Sequence, residues 1–277
     1  EGWISYSLAK VYNPDFKYWQ GVECAFYAAF YRVATLGSGA GVAAIYYFNE
    51  RGVPYSKGTG LYTIEYMLHK VSIALFAGIF FILNWGYMQK YYSQYDMTLL
   101  IGFGVTFVIA AVLLLFACSK KFHEVLLWIV RKLNRSGKLT EQVKKLEEQC
   151  AILEDAAATL LKRGGLIAGC ILKNLLKFTF WYGIPFLILA ETGKLTLSQG
   201  LAVTSLAMML AAVIPAPAGI GSSEFVLTML LAKIVGTGAA GSVALLYRFA
   251  TFVLPFVIGA VVVVLWRRVH RSTEKAA

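Results

Sequence analysis

Long apolar segments alternate with short polar ones along the chain. The apolar segments cover about 22–48, 61–87, 97–117, 166–190, 200–235 and 239–266. Residues 97–117 carry no charge at all, and about 20 apolar residues are enough to span the hydrocarbon core of a bilayer. The pattern therefore predicts an all-α polytopic membrane protein, a helical bundle that crosses the membrane several times.

The composition supports a membrane protein and excludes several other classes. Hydrophobic residues make up 58% of the chain and charged residues 15%, whereas about 25% of a soluble domain is charged. The four cysteines are scattered and only three histidines are present, so neither a disulfide scaffold nor a zinc site is indicated. The motifs of soluble enzymes, such as GxxxxGK[ST] and HExxH, are missing from the sequence. We therefore expect no metal and no cofactor.

The basic residues mark membrane topology. The formal net charge is +11, but the lysines and arginines lie beside apolar segments, which is the pattern of cytoplasmic loops. They indicate affinity for anionic lipid head groups rather than for nucleic acid. The basic stretch 119–163 and the basic tail 267–271 are accordingly predicted to be cytoplasmic, with the C-terminus inside.

Residues 119–163 form a segment of a different kind, with 10 Lys/Arg against 6 Asp/Glu. The pattern predicts two amphipathic helices, split at 134–138, as a cytoplasmic insert within a single membrane domain of residues 1–277. Apolar residues of the second helix, from Leu139 to Leu160, recur at alternating spacings of four and three, which is a heptad stripe. One interpretation is a coiled coil that forms a homodimer. The other is a helical hairpin whose stripe is covered by the membrane and by Phe122, Leu126, Ile129 and Leu133.

The two cytoplasmic stretches require an even number of crossings between them. Segments 166–190 and 239–266 are long enough to cross once each, which leaves 200–235 with zero crossings or two. Two crossings need about 40 residues and a turn, and this segment has 36, with a proline-rich break at 215–221 in its middle. We therefore expect two half-helices that enter from the outside and meet near the midplane, where irregular backbone lines a cavity or is buried in protein.

A second break, at 35–41, interrupts segment 22–48 in the same way. The predicted topology places its flanks on the opposite side of the membrane. Two interrupted segments that enter from opposite sides indicate an inverted repeat, with the site between the two tips. The alternative is a pair of kinked crossing helices with glycine-rich packing faces.

The break at 215–221 carries the sharpest candidate site. Prolines end the first half-helix because they lack an N–H donor, and glycines let the backbone turn tightly and approach a ligand. The residues after them would open the second half-helix, whose free N–H groups attract an anion such as phosphate. The candidates are Pro215, Pro217, Gly219, Gly221, Ser222, Ser223 and Glu224. Glu224 either caps the helix start or serves as an acid that takes a proton or binds a cationic head group.

Arg248 is a second candidate charge, about two turns of helix into its segment. A charge at that depth costs about 2.5–3.5 kcal/mol on insertion scales unless it is paired or hydrated. We therefore expect Arg248 to face the interior and to lie within a few ångströms of Glu224, on a polar cavity beside the break. The pair is then either structural or a binding site for a lipid phosphate.

Two further pairs of polar residues have helical spacing. Lys173 and Lys177 lie four apart on one helical face, as do Glu65 and His69. Each pair lies within about three turns of the predicted cytoplasmic end of its helix. These side chains therefore either join the site or extend to the membrane surface.

A family resemblance follows from these motifs. The string Pro-x-Pro-x-Gly-x-Gly-x-x-Glu at 215–224, followed by Tyr247, Arg248 and Pro255, resembles the lysylphosphatidylglycerol synthase transmembrane family. The family comprises flippase-like domains of bacterial phosphatidylglycerol lysyltransferases and stand-alone membrane proteins. Its usual motif is Pro-x-Pro-Gly-Gly, whereas this chain has Ala218 at the first of the two glycines.

The break at 35–41 is similar to an earlier motif of the same family, Thr-Pro-x-x-x-Gly-Gly-x-Pro. In this chain Leu36, Ala40 and Ala43 replace a proline, a glycine and a proline, so the match is weaker. The site candidates in this break are Thr35, Gly39 and Gly41.

The resemblance implies a function as well as a fold. It implies a bacterial plasma-membrane protein, with further membrane segments ahead of Glu1, that moves a membrane phospholipid between leaflets. Aminoacylated phosphatidylglycerol is one such lipid. One alternative is the membrane part of a phosphatidylglycerol lysyltransferase, although nothing in this chain resembles the transferase domain. The other is a carrier of polyprenyl phosphate.

Overall fold

A computed structural model describes residues 1–93, 104–105, 107–109, 111–112, 115, 119–133, 140–214 and 216–274. Within these ranges the chain forms twelve helices with assigned bounds and no β-strand, so the predicted all-α class is confirmed. The helices are α1 (Gly2–Ala9), α2 (Tyr18–Ala34), α3 (Ala40–Glu50), α4 (Tyr55–Leu83), α5 (Trp85–Tyr92), α6 (Lys120–Leu133), α7 (Thr140–Leu160), α8 (Gly164–Leu189), α9 (Leu197–Ala211), α10 (Ser222–Val235), α11 (Thr237–Arg248) and α12 (Leu254–Glu274).

Several helices have the length and composition of membrane spans. In the described part of the chain, three stretches qualify: Tyr55–Leu83, Pro217–Val235 and Thr237–Arg268. The last one combines α11 and α12, which a π-helical turn at Phe249–Val253 joins into one rod. The span predicted at 97–117 lies mostly outside the described residues. The membrane class predicted from the sequence is confirmed.

Both interrupted segments are pairs of short helices, as predicted. The first pair, α2 and α3, has 17 and 11 residues, and the second, α9 and α10, has 15 and 14. At 1.5 Å per residue these arms are about 16 to 26 Å long, shorter than the roughly 30 Å hydrocarbon core. The stretch Pro217–Val235 has the length of a span only because it includes the turn before α10. We call them hairpin 1 and hairpin 2. The side of the membrane from which each enters stays a prediction.

Left-handed backbone makes the turn at each tip. In hairpin 1, Leu36 and Gly37 have φ angles of 52° and 106°. In hairpin 2, Pro217 starts a single 3₁₀ turn, Pro217–Gly219, within which Ala218 and Gly219 have φ angles of 53° and 68°. Because only glycine adopts this region without a steric penalty, the positions that hold Leu36 and Ala218 are strained.

The long helix that follows each hairpin packs on the other hairpin. Helix α12, which follows hairpin 2, packs on α2 of hairpin 1, and α4, which follows hairpin 1, packs on α9 of hairpin 2. At the end of α4, Asn84 Nδ2 donates to Ser198 Oγ of α9 at 2.8 Å. Such reciprocal packing is expected of two repeats related by a pseudo-two-fold axis.

Helices α6 and α7 form the insert, and α7 docks on the membrane domain. The start of α6 contacts the second half of α7, where His123 Nδ1 lies 3.0 Å from Glu154 Oε1. Along α7, the stripe residues Val143, Cys150, Leu153 and Leu160 are buried. A Cβ atom on Gly60 of α4 would lie 2.4 Å from Cβ of Ala156.

Helix α4 therefore covers the second half of the stripe. The sequence named α6 and the membrane as its cover and missed α4, because the glycine that admits α7 lies 96 positions before Ala156 in the chain. Leu139 and the side chain of Leu133 lie outside the described residues. The homodimer alternative stays a prediction.

Candidate functional site

The tips of the two hairpins touch each other. A Cβ atom on Gly37 would lie 3.3 Å from the backbone nitrogen of Ala218 and 3.5 Å from its Cα. Any larger residue at Gly37 would meet both this close backbone and an unfavourable φ angle of 106°. The two breaks, which are far apart in sequence, are thus in direct contact in the structure.

A polar cavity of about 480 Å³ lies against the two tips. This volume is within the range of about 300–1,000 Å³ that is typical of small-molecule sites. Hairpin 1 contributes Gly37 and Ala40, and hairpin 2 contributes Ala216, Ala218 and Gly219. The charged or titratable side chains of the lining are Glu1, Cys24, Arg32, Tyr62, Glu65, Tyr66, His69, Lys70 and Lys177.

Helices α4 and α8 supply a charged network to the cavity wall. Lys177 Nζ lies 2.9 Å from His69 Nδ1 and 3.6 Å from Glu1 Oε1. Glu65 Oε1 accepts a 2.8 Å hydrogen bond from Ser5 Oγ. Cations and carboxylates therefore line the same enclosed space, where the low dielectric strengthens their attraction for a charged ligand.

The structure separates the two lysines that the sequence paired. The side chain of Lys177 is only 9% exposed and lines the cavity. Lys173, one turn earlier, does not line it; its ammonium donates to Ser7 Oγ at 2.6 Å and lies over the Trp3 ring. Glu65 and His69 both line the cavity, as one of their two interpretations required.

Asn174 and Arg32 are among the polar lining residues that were missed in the sequence. Asn174 is 1% exposed, and neither its amide nitrogen nor its amide oxygen has a hydrogen-bond partner among the described residues. Arg32, on the last turn of α2, lines the cavity as well. Each is a polar residue inside an apolar segment, next to a break or between two noted lysines, and that signal would have found both.

Glu224 and Arg248 converge, as predicted. Arg248 Nε lies 3.2 Å from Glu224 Oε1, and the two side chains are only 16% and 22% exposed. Neither side chain lines the cavity. Arg248 Nη2 instead donates to the carbonyl oxygen of Ala218 at 3.0 Å. The ion pair therefore stabilises the tip of hairpin 2 without lining the cavity.

Glu224 acts as a cap in this structure. Its Oε2 accepts from the backbone N–H of Gly221 at 3.0 Å and from Ser223 Oγ at 2.8 Å. The anion that the start of α10 attracts is thus the chain's own carboxylate. The capping interpretation therefore describes Glu224 in this structure, and phosphate binding at this helix start stays a prediction.

The remaining residues of 216–224 mostly shape the turn. Ser222 Oγ donates to the carbonyl oxygen of Gly219 at 3.3 Å, and Ser223 Oγ, which donates to Glu224, lies 3.0 Å from the same carbonyl oxygen. Of the predicted site residues in this tip, Gly219 lines the cavity, whereas Pro217, Gly221, Ser222 and Ser223 do not. Pro215 lies outside the described residues. The reason is geometric, because a tight turn presents only one of its sides to the cavity.

The predicted candidates of hairpin 1 likewise lie on other sides of the tip. Thr35 Oγ1 donates to the carbonyl oxygen of Tyr31 and accepts from the N–H of Gly39, both at 2.6 Å. Gly41 packs on the ring of Tyr62, where an added Cβ would lie 2.8 Å from Cε1. None of Thr35, Gly39 and Gly41 lines the cavity, and Gly37 and Ala40 do so instead.

The strain at Ala218 leads to a stability prediction. Left-handed backbone costs a non-glycine residue about 1–2 kcal/mol, and glycine costs about 0.4–1 kcal/mol in the unfolded chain. Ala218→Gly should therefore raise the free energy of unfolding by about 0.5–1 kcal/mol, measured by thermal or denaturant unfolding in detergent.

The matched control is two residues away. Ala216 has an ordinary φ of −133°, so Ala216→Gly should lower stability by about 0.5–1 kcal/mol. If Ala218→Gly is destabilising to the same extent, the left-handed backbone at position 218 does not store strain.

The described residues thus define an α-helical membrane protein in which two broken helical hairpins meet over a polar cavity. This chain belongs to the family described as lysylphosphatidylglycerol synthase TM region, whose model matches residues 5–259. The membership relates the protein to membrane lipids, in agreement with the resemblance of the 215–224 string. No curated protein and no solved structure matches the chain.

Proposed function

We propose that this protein moves a phospholipid between the leaflets of a bacterial plasma membrane, with the lipid head group in the cavity between the two tips. Membership of a lipid-related membrane family supports this proposal, and so does the presence of cations and carboxylates in one cavity. Arg32 and Lys177 suit the phosphate, and Glu65 suits an ammonium group. A head group with both charges, such as that of aminoacylated phosphatidylglycerol, fits this lining.

The observation that carries the proposal is the amide of Asn174, which has no hydrogen-bond partner in the part of the chain that the structure describes. Leaving a buried polar group without a partner costs about 1–3 kcal/mol, and nearly all buried polar groups in proteins are paired. Asn174 offers two donors and an acceptor to the cavity, and the side chain is 1% exposed. A ligand with acceptors and donors of its own, such as a phospholipid head group, would satisfy it.

A transport assay tests the proposal directly. The full chain is reconstituted into liposomes that contain a trace of fluorescent phosphatidylglycerol, aminoacylated or not, and a reductant bleaches the label in the outer leaflet. Transport is expected to expose label from the inner leaflet that protein-free liposomes keep protected. Fluorescent phosphatidylcholine and a labelled polyprenyl phosphate are the comparison lipids. Transport of polyprenyl phosphate alone would favour the carrier alternative, and transport of no lipid would contradict the proposal.

Asn174→Leu should separate function from stability. The leucine has a similar volume and removes the unpartnered amide, so the free energy of unfolding should rise by about 1 kcal/mol. Transport should fall about tenfold, as expected when an interaction of roughly 1.4 kcal/mol with the head group is lost. A purely structural asparagine would give the reverse: lower stability, and transport that follows the amount of folded protein.

Thr204 provides a matched control. Its hydroxyl is also buried without a partner among the described residues, and the residue is 0% exposed in α9. It does not line the cavity. Thr204→Val should therefore raise stability in the same way but leave transport within about twofold of the original rate.

A further inference from the structure

A groove of about 770 Å³ lies between the two arms of hairpin 1, on the side away from the cavity. The end of α12 closes one end of the groove, and the hairpin tip closes the other. Its lining is Tyr27, Tyr31, Thr35, Ser38, Gly39, Val42, Ala43, Tyr46, Trp266 and Arg267. Aromatic and aliphatic side chains therefore form the walls, and the polar groups lie at the two ends.

The end near α12 is basic. Arg267 Nη2 donates to Tyr31 Oη at 3.2 Å, which uses one of the five N–H donors of its guanidinium. The guanidinium of Arg51, in the loop before α4, lies 4.5 Å from the ring centroid of Trp266. Arg51 is ion-paired with Glu23 Oε2 at 3.1 Å, so Arg267 supplies the positive charge of the groove lining, beside the α3–α4 loop.

The end at the tip is different, because its polar groups bond to one another. Thr35 Oγ1 is used by Tyr31 and Gly39, and Ser38 Oγ donates to the carbonyl oxygen of Thr35 at 2.9 Å. The inner part of the groove therefore has little hydrogen bonding to offer and suits a hydrocarbon chain. Val42, on its wall, is 71% exposed, so in a membrane protein this surface meets lipid.

We infer that this groove is a binding site for one anionic phospholipid of the leaflet at the basic end. The lipid phosphate lies against Arg267, and one acyl chain follows Tyr31 and Val42 toward the tip. Anionic lipids are attracted to basic residues at the membrane surface, and tyrosine and tryptophan are typical of the level of the head groups. The site is separate from the cavity, since Gly37 and Ala40 face the cavity and Thr35 and Gly39 face the groove.

Lipid retention measures this site without transport. The purified full chain in detergent receives phosphatidylglycerol or phosphatidylcholine with identical acyl chains, and native mass spectrometry counts the lipid that stays bound. Phosphatidylglycerol should be retained in preference to phosphatidylcholine. Arg267→Gln should lower its retention about fivefold, whereas Arg268→Gln, the neighbouring exposed arginine that does not line the groove, should change it less than twofold.

Filling the groove tests where the acyl chain lies. Val42→Trp should reduce retention of both lipids. Ile79→Trp, on the exposed face of α4 and 46% exposed, should leave it unchanged. Equal losses for Arg267→Gln and Arg268→Gln, equal retention of the two lipids, or full retention by Val42→Trp would each overturn the inference.

The result is independent of the proposed transport. Asn174→Leu, which is expected to lower transport about tenfold, should still retain phosphatidylglycerol. If Arg267→Gln and Val42→Trp lose lipid and Asn174→Leu keeps it, the groove binds lipid whether or not the protein transports it. Failure of the transport assay alone would then contradict only the proposed function.

Discussion

Arg248→Met should lower the free energy of unfolding by about 3 kcal/mol, because it leaves Glu224 without its ion-pair partner in a mostly buried position. The methionine also removes the 3.0 Å hydrogen bond to the carbonyl oxygen of Ala218 and the contact of the guanidinium with the Phe252 ring, whose centroid lies 3.7 Å away. The tip of hairpin 2 would then lose the hydrogen bond that holds it to α11, and transport per folded molecule should fall as well. Unfolding in detergent and the lipid assay measure the two effects on one preparation.

The partner variant should be milder. Glu224→Gln keeps a side-chain oxygen that accepts from the N–H of Gly221, so we expect a loss of about 1 kcal/mol. The double variant should lose at least about 1 kcal/mol less than the sum of the two single changes, since residues in direct contact do not act additively.

An exposed arginine controls for the loss of charge. Arg268→Met should change stability by less than about 0.5 kcal/mol. If Arg248→Met behaves like Arg268→Met and transports normally, the ion pair does not hold the tip in place.

Gly259→Ala should be similarly damaging, although the side chain added is a single methyl group. A Cβ atom at this position would lie 2.4 Å from the carbonyl oxygen of Phe26 and 3.0 Å from Cβ of Phe30. The first of these neighbours is backbone, so α12 has to move away from α2. Small residues at such crossings let membrane helices approach closely. We expect the free energy of unfolding to fall by about 2–3 kcal/mol. The stacking of Phe30 on Phe256, whose ring centroids lie 5.3 Å apart, should weaken as well.

Gly241 in α11 is the matched glycine. An added Cβ there meets nothing within 4 Å, so Gly241→Ala should stabilise the helix by about 0.5–1 kcal/mol. Denaturation of the two variants in the same detergent compares them. An equal change in the free energy of unfolding for the two variants would show that the stability of the protein does not depend on the close approach of α2 and α12.

The fold was largely predictable because its signals are local. Uninterrupted apolar stretches gave the membrane helices, and proline and glycine within such stretches gave the two breaks. The parity of crossings then required short arms around 215–221, and α9 and α10 have that form. The docking of α7 on α4 was not predictable, because it depends on a fit between Gly60 and Ala156.

The site was predictable only in part. The sequence identified the two tips and the convergence of Glu224 with Arg248, and it left the cavity and the membrane surface as alternatives for Glu65. It gave equal weight to residues on all sides of each tip, and it passed over Arg32 and Asn174. Both are polar residues inside apolar segments, and that signal marks each of them in the sequence.

The sequence by itself determined where the chain is apolar, where it breaks and which charges need a partner, because these properties follow from the cost of exposing backbone and charge to hydrocarbon. Only the tertiary structure decided which side of each tip faces the cavity. That choice depends on how α4 and α12 pack across the opposite hairpin, and the packing depends on contacts between residues far apart in the chain, such as Gly259 with Phe26 and Gly37 with Ala218. Periodicity within one helix carries no information about such contacts.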